Sequence, residues 1–189
     1  MSFDTTQQSY QALRAIIAEK TDRVIAWVGS GFSVNAGLPN WASLKSILEK
    51  ALSNKAEQFE GTDSTSMKNM AKTIHSMEDI WASFGLLRKN LGETTWRATI
   101  REALGSAATK TTPEGYINLW KLKVRGILSL NLDRFATKAY VETFPKRTLI
   151  GFDGKEVGNF THVLKNQGQF VCNLHGNVEN ASSWILTKT

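Results

Sequence analysis

With 189 residues, 41% of them apolar and only three prolines, the chain can bury one sizeable core but not two full domains. The 23 Lys and Arg against 17 Asp and Glu leave a formal charge of +6, yet the excess is scattered. Its tightest groups, Lys121, Lys123, Arg125 and the pair Lys146, Arg147, read as solvated faces, so direct nucleic-acid binding is not expected.

Tyr10, Leu13, Ile16 and Ile17 recur at helical spacing and predict a short amphipathic first helix, with Thr5 or Thr6 as its cap. The same N-terminal stretch, Met1 to Lys20, carries Asp4 and Glu19 and no unbroken apolar run, so neither a signal peptide nor a membrane anchor is expected. Val24 to Val28 then form an apolar run that stops at Gly29 and Gly31, the pattern of a buried parallel strand leading into a tight turn. After Pro39 a helix is predicted from Ala42, with Leu44, Ile47, Leu48 and Leu52 on one face.

From about Ala56 to Leu122 the period stays helical. Met67, Met70, Ile74 and Met77 make one stripe, Ile80, Trp81, Phe84 and Leu87 a second, and Trp96, Ile100 and Leu104 a third, with Gly61, Gly92 and Gly105 as punctuation. Such stripes are core packing, and this segment is expected to form a helical layer over one side of a sheet. Thr112-Pro113-Glu114 marks a helix start with Pro at the first helical position.

Gly126 to Leu130 returns to strand, ends in Asn131, Leu132 and Asp133, and passes into a helix through Phe135, Ala139 and Tyr140. Gly151 to Gly168 reads as a loop with at most a short element. Phe170 to Leu174 is a further apolar strand ending at His175-Gly176, and Trp184 to Thr187 is the candidate start of another. The alternation predicts a Rossmann-like α/β domain whose parallel strands gather their polar residues at the carboxyl ends.

The lone Cys172 excludes an internal disulfide and a cysteine-based zinc site, fits a small buried hydrophobe, and makes the cytoplasm the expected compartment. His75 and His162 receive no role.

Three segments carry the chemistry. Gly29-Ser30-Gly31-Phe32-Ser33 follows the first strand, where glycines admit a diphosphate to the backbone amides; on its own the GxG is better read as a plain tight turn, and the Gly-Lys-Ser/Thr of a Walker loop is missing. Asn131 and Asp133 are good helix caps when taken alone, and His175 could be an ordinary strand-end histidine.

The longer string Gly29-Ser30-Gly31-Phe32-Ser33-Val34-Asn35-Ala36-Gly37-Leu38-Pro39-Asn40-Trp41 resembles the sirtuin signature, with Gly-x-Gly-apolar-Ser followed by Gly-apolar-Pro. Leu130-Asn131-Leu132-Asp133 resembles the family's Asn-x-Asp motif and Leu174-His175-Gly176 its His-Gly motif, in family order. The sirtuin zinc ribbon has no counterpart, since the single Cys precedes His175, and Asn40-Trp41-Ala42 replaces the deacylase Asp-Phe-Arg. Both departures are similar to the sirtuin-like branch of bacterial anti-phage defence proteins.

That resemblance implies a metal-free NAD glycohydrolase, with NAD as substrate, releasing nicotinamide and ADP-ribose. It implies Asn131 and His175 as catalytic residues, Asn131 orienting water or ribose hydroxyls and His175 acting as base. Gly29, Ser30, Gly31 and Phe32 would line the diphosphate and nicotinamide pocket, Ser33 would lie near the phosphates, Asp133 would accept from the carboxamide, and Pro39 would shape the loop. It further implies an effector of abortive infection, controlled by a regulatory domain or partner subunit and by homo-oligomerisation. Because the family continues with at least one more strand, residues 1–189 are expected to be a C-terminally truncated domain, or else a short subunit completed by a partner. Rival readings are a non-catalytic NAD or ADP-ribose sensor, an NAD-dependent protein deacylase and a nucleic-acid module. Alanine at His175 or Asn131 is expected to abolish turnover and spare the fold, since both lie at strand ends.

Overall fold

The computed structural model describes residues 4–19, 24–105, 110–165 and 168–187. Strands β1 (Ile25–Val28), β2 (Gly126–Ser129), β3 (Ile150–Asp153) and β4 (Phe170–Asn173) form one all-parallel sheet in the order β1-β2-β4-β3. Helices α1 (Gln8–Ala18), α2 (Gly31–Val34), α3 (Trp41–Ala56), α4 (Gly61–His75), α5 (Ile80–Leu91), α6 (Glu93–Gly105), α7 (Glu114–Lys121), α8 (Phe135–Thr143) and α9 (Phe160–Lys165) surround it. This is the Rossmann-like α/β architecture expected, and among the described residues there is no zinc ribbon.

The register sets up everything that follows. Val28 pairs with Ser129, Ser129 with Asn173, and Asn173 with Asp153, so all four strands end on one rung. The residues just past that rung, Gly29, Asn131 and His175 among them, therefore share the carboxyl edge of the sheet, where parallel sheets present their binding groups.

The long helical segment has a core of its own. Leu44, Leu48 and Leu52 of α3 pack with Ile74, Phe84, Leu87, Leu91, Trp96, Ile100 and Leu104 of α4, α5 and α6. This bundle also buries Leu132, Val178 and Leu186, which follow β2 and β4, so it sits against the carboxyl end of the sheet instead of covering a face as expected. Its starts are set locally: Asn40 Oδ1 accepts from the Ser43 amide at 2.8 Å to open α3, and Asp79 Oδ1 accepts from the Trp81 and Ala82 amides to open α5. Helix α7 belongs to the sheet. Tyr116 and Trp120 pack with Val28, Ile127, Phe135, Ala139, Tyr140 and Val171, and Trp120 Nε1 donates to the Ala136 carbonyl.

Several expectations are corrected. Strand β1 is not buried: it is the edge of the sheet, with Trp27 65% exposed and only Val28 inside. Helix α1 forms, but its cap is Gln7, since Thr6 gives its amide and hydroxyl to Asp4, and none of its residues is buried. Pro113 is the cap of α7 and not its first residue. The expected loop 151–168 contains most of β3, a 3-10 segment Gly154–Asn159 and α9. Trp184 to Thr187 forms no strand; instead the Ile185 amide donates to the His175 carbonyl at 3.0 Å.

That return explains Gly176, whose φ of +92° is a left-handed conformation and whose missing Cβ would lie 2.4 Å from the Ser183 carbonyl oxygen. Gly176→Ala is expected to lower stability by at least ~2 kcal/mol in urea unfolding, because backbone and not a yielding side chain occupies the space.

Candidate functional site

At the carboxyl edge the chain assembles a buried polar knot. Asn131, 4% exposed, directs its carboxamide nitrogen at three acceptors, the Gly29 carbonyl, Ser33 Oγ and Tyr116 Oη, each at 3.0 Å. A carbonyl can only accept, so Gly29 fixes which side of the amide faces inward. With two N–H bonds for three acceptors, one bond is shared. Asn131 Oδ1, on the other side, is buried and has no partner.

Ser33 continues the knot by donating to Asp133 Oδ2 at 2.7 Å, while Asp133 Oδ1 accepts from the amide of Phe135, the first residue of α8, at 3.0 Å. Burial holds the Asp133 carboxyl above its ordinary range, against the opposing pull of the Ser33 hydroxyl and the Phe135 amide. The Tyr116 hydroxyl is pushed up to about 12 by burial and then by the Asp133 charge, so it stays neutral. Residues 98 and 102 positions apart in the chain are thus joined through one amide.

A narrow cleft of about 20 Å³ opens on this knot, lined by Ser30, Ser33, Pro39, Trp41, Asn131 and Asp133 among others. It has room for about one water. Trp41 connects it to His175, whose imidazole lies 5.5 Å from the Trp41 ring edge-on and 4.8 Å from the Trp81 ring at 30°. His175 Nδ1 is 2.8 Å from the Ile185 carbonyl oxygen. Since that oxygen accepts, the proton of the neutral ring is on Nδ1 and the lone pair on Nε2. Burial lowers the His175 pKa from 6.5, partly opposed by the Ile185 carbonyl, so the ring is neutral at pH 7 and its Nε2 is available as a base.

The expected site residues therefore divide. Ser30, Ser33, Pro39, Asn131 and Asp133 share the cleft, with His175 one ring away. Phe32 does not face it: its ring packs on Tyr116 at 5.2 Å and lines, with Gly31, a separate groove of about 920 Å³ beside the start of α7. Ser33 is 3% exposed and spends its proton on Asp133, so it braces the loop instead of facing an open phosphate pocket. Neither Gly29 nor Gly31 is required by its conformation, and a Cβ on either meets nothing within 4 Å. No protein-family model matches this chain, and no curated protein matches it. Among the described residues no group of three or more His, Cys, Asp or Glu is placed to hold a metal, and no helix is long and apolar enough to cross a membrane.

Two residues of the site were hidden in the sequence. Trp81 sits in an apolar stripe that reads as core, and Tyr116 in a short helix with no motif. Cys172 is 1% exposed in the core with Phe152, Val163 and Phe170, and burial pushes its thiol up to about 11, which fits a structural role.

The strain of a buried carboxylate gives a test. In Asp133→Asn the new side chain still accepts from the Phe135 amide and donates to Ser33, but carries no charge. A raised native pKa means the wild-type fold loses stability as pH rises above 3.8, so the variant is expected to melt at the same or a higher temperature than wild type at pH 7–8, with the gap closing in acid. A lower melting point at pH 8 contradicts this.

Proposed function

We propose that this chain is a sirtuin-like NAD glycohydrolase that cleaves NAD to nicotinamide and ADP-ribose. The observation that carries the reading is the single amide of Asn131, held on the Gly29 carbonyl with its own oxygen unpartnered, with a neutral histidine one tryptophan ring away from the cleft. The glycine turn, the Asn-x-Asp segment and the His-Gly segment, far apart in sequence, meet at the ends of β1, β2 and β4. A Cβ on Gly29 or Gly31 would meet nothing within 4 Å, which leaves space over the turn for a ligand.

The chemistry asks little more. Departure of nicotinamide from the cationic pyridinium breaks the C1′–N bond, the electron pair leaves with the neutral base, and positive charge develops on the ribose. Water then bonds to C1′. Asn131 Oδ1 orients that water or a ribose hydroxyl by accepting from it, and His175 Nε2 receives the proton. The carboxamide of nicotinamide is read by Asp133, which requires displacing a present partner, since both its oxygens are engaged.

In this reading the enzyme is the effector of a bacterial anti-phage system, acts through abortive infection, and is governed by a partner subunit or regulatory domain and by oligomerisation. Those features come from the family resemblance only. Incubation with NAD and chromatographic measurement of nicotinamide tests the activity. A second reading is nucleotide sensing without turnover; in either reading the cleft of about 20 Å³ must widen before a nucleotide enters. Saturable NAD binding with no nicotinamide release decides for the sensor; release decides for the enzyme.

A further inference from the structure

A second anomaly lies across the sheet. Asn173, the last residue of β4, is 7% exposed, and its Oδ1 is buried with no partner. Leaving such an acceptor unpaired costs about 1–3 kcal/mol, and the defect calls for an explanation. Asn173 lines a cleft of about 310 Å³ between α8, the end of β3 and the turn at 177–180, together with Thr137, Asp153, Glu156, Asn177 and Arg134.

We propose that this cleft is a second ligand site and takes the vicinal diol of a ribosyl group. Asp153 is the register partner of Asn173, so these two acceptors stand side by side at the sheet end of the cleft, and the exposed Glu156 adds a third at its mouth. Each carboxylate has one oxygen fixed by backbone. Asp153 Oδ1 accepts from the Lys155 amide at 3.0 Å, and Glu156 Oε2 from the Asp153 amide at 3.1 Å. Asp153 Oδ2 and Glu156 Oε1 are left to receive hydrogen bonds from a ligand.

The rim carries donors instead. Asn177 Oδ1 accepts from the Glu179 amide and Asn180 Oδ1 from the Ser182 amide, which turns both carboxamide NH₂ groups loose. Arg134, held by Glu179 at 2.7 Å, also borders the cleft. The two carboxylates repel an anion, and the loose carboxamide NH₂ groups of Asn177 and Asn180 call for an acceptor that a bare cation does not supply. A hydroxyl both donates and accepts, so adjacent hydroxyls match the mixture, and a carboxylate at the carboxyl end of a parallel strand is how dinucleotide folds hold a ribose. The two clefts share no lining residue, although β2 and β4, at whose ends they open, are neighbouring strands. The proposal does not rest on the glycohydrolase reading.

Calorimetric titration with adenosine, and with 2′,3′-dideoxyadenosine, which lacks the diol, tests it. The full chain is expected to bind adenosine saturably and the dideoxy compound at least tenfold more weakly. Asp153→Asn combined with Glu156→Gln keeps both backbone-capping oxygens and is expected to weaken adenosine at least tenfold. If the double variant melts early, Glu156→Gln alone, at an exposed position, serves with an expected loss of at least threefold. Absence of adenosine binding, equal affinity for the dideoxy compound, or unchanged affinity in the folded variants overturns the proposal.

Discussion

Replacing His175 by alanine is expected to lower nicotinamide release from NAD by about 10²–10⁴-fold, the range over which a positioned general base acts. The reason is specific to one nitrogen. The Ile185 carbonyl accepts the Nδ1 proton, the Trp81 ring stacks at 4.8 Å, and together they leave only Nε2 to take a proton from water. The fold is expected to persist, because the backbone bond from the Ile185 amide to the His175 carbonyl does not involve the imidazole. Circular dichroism of the variant checks that point, and activity above a tenth of wild type removes His175 from the reaction. The pH profile provides a second check. Because burial lowers the imidazole pKa, activity should be flat through pH 7 and decline only in acid below 6.5; a decline centred above 6.5 contradicts the assignment. The same shift, in a base that the unfolded chain protonates more readily, makes the folded state lose stability as pH falls through 6.5.

The parts of this architecture that were legible in the sequence are those encoded by local pattern. Gly126–Ser129 and Phe170–Asn173 are apolar runs followed by polar residues, and both are strands. Strand β3 was missed because Ile150-Gly151-Phe152-Asp153 is short, contains one glycine and is followed by another, so β-propensity and turn signals cancel; pairing with β4 is what makes it a strand. The edge position of β1 is equally invisible, since the run Ile25-Ala26-Trp27-Val28 is as apolar as a central strand and exposure depends on what lies beside it. Asn131, Ser33 and His175 could be singled out by type and place, but their partners could not. No spacing rule links Ser33 to Asp133 or Asn131 to Tyr116; the register of β1 on β2 brings the first pair together and the packing of α7 on the sheet the second.

This bears most on Asn131, whose removal was expected to spare the fold. A residue 4% exposed that supplies the donor for the Gly29 carbonyl, Ser33 and Tyr116 is structural as well as chemical. Asn131→Ala is therefore expected to cost about 1–3 kcal/mol in chemical unfolding, because Ser33 and Tyr116 lose a buried donor, while the Gly29 carbonyl keeps the Phe32 amide at 3.1 Å. Loss of activity in that variant says nothing about catalysis by itself. Asn131→Asp separates the contributions. At neutral pH the aspartate places acceptor oxygens against the Gly29 carbonyl, with no proton to share, so it should be less stable than the alanine variant although it is nearly isosteric with asparagine. On acidification the carboxyl gains a proton that it can donate to Gly29, and the gap between the two variants should narrow. A wild-type-like Asp variant at pH 7 means the amide faces the other way, with its nitrogen toward the cleft. In that case the free oxygen assigned to water or ribose does not exist, and Asn131 could only donate to the substrate.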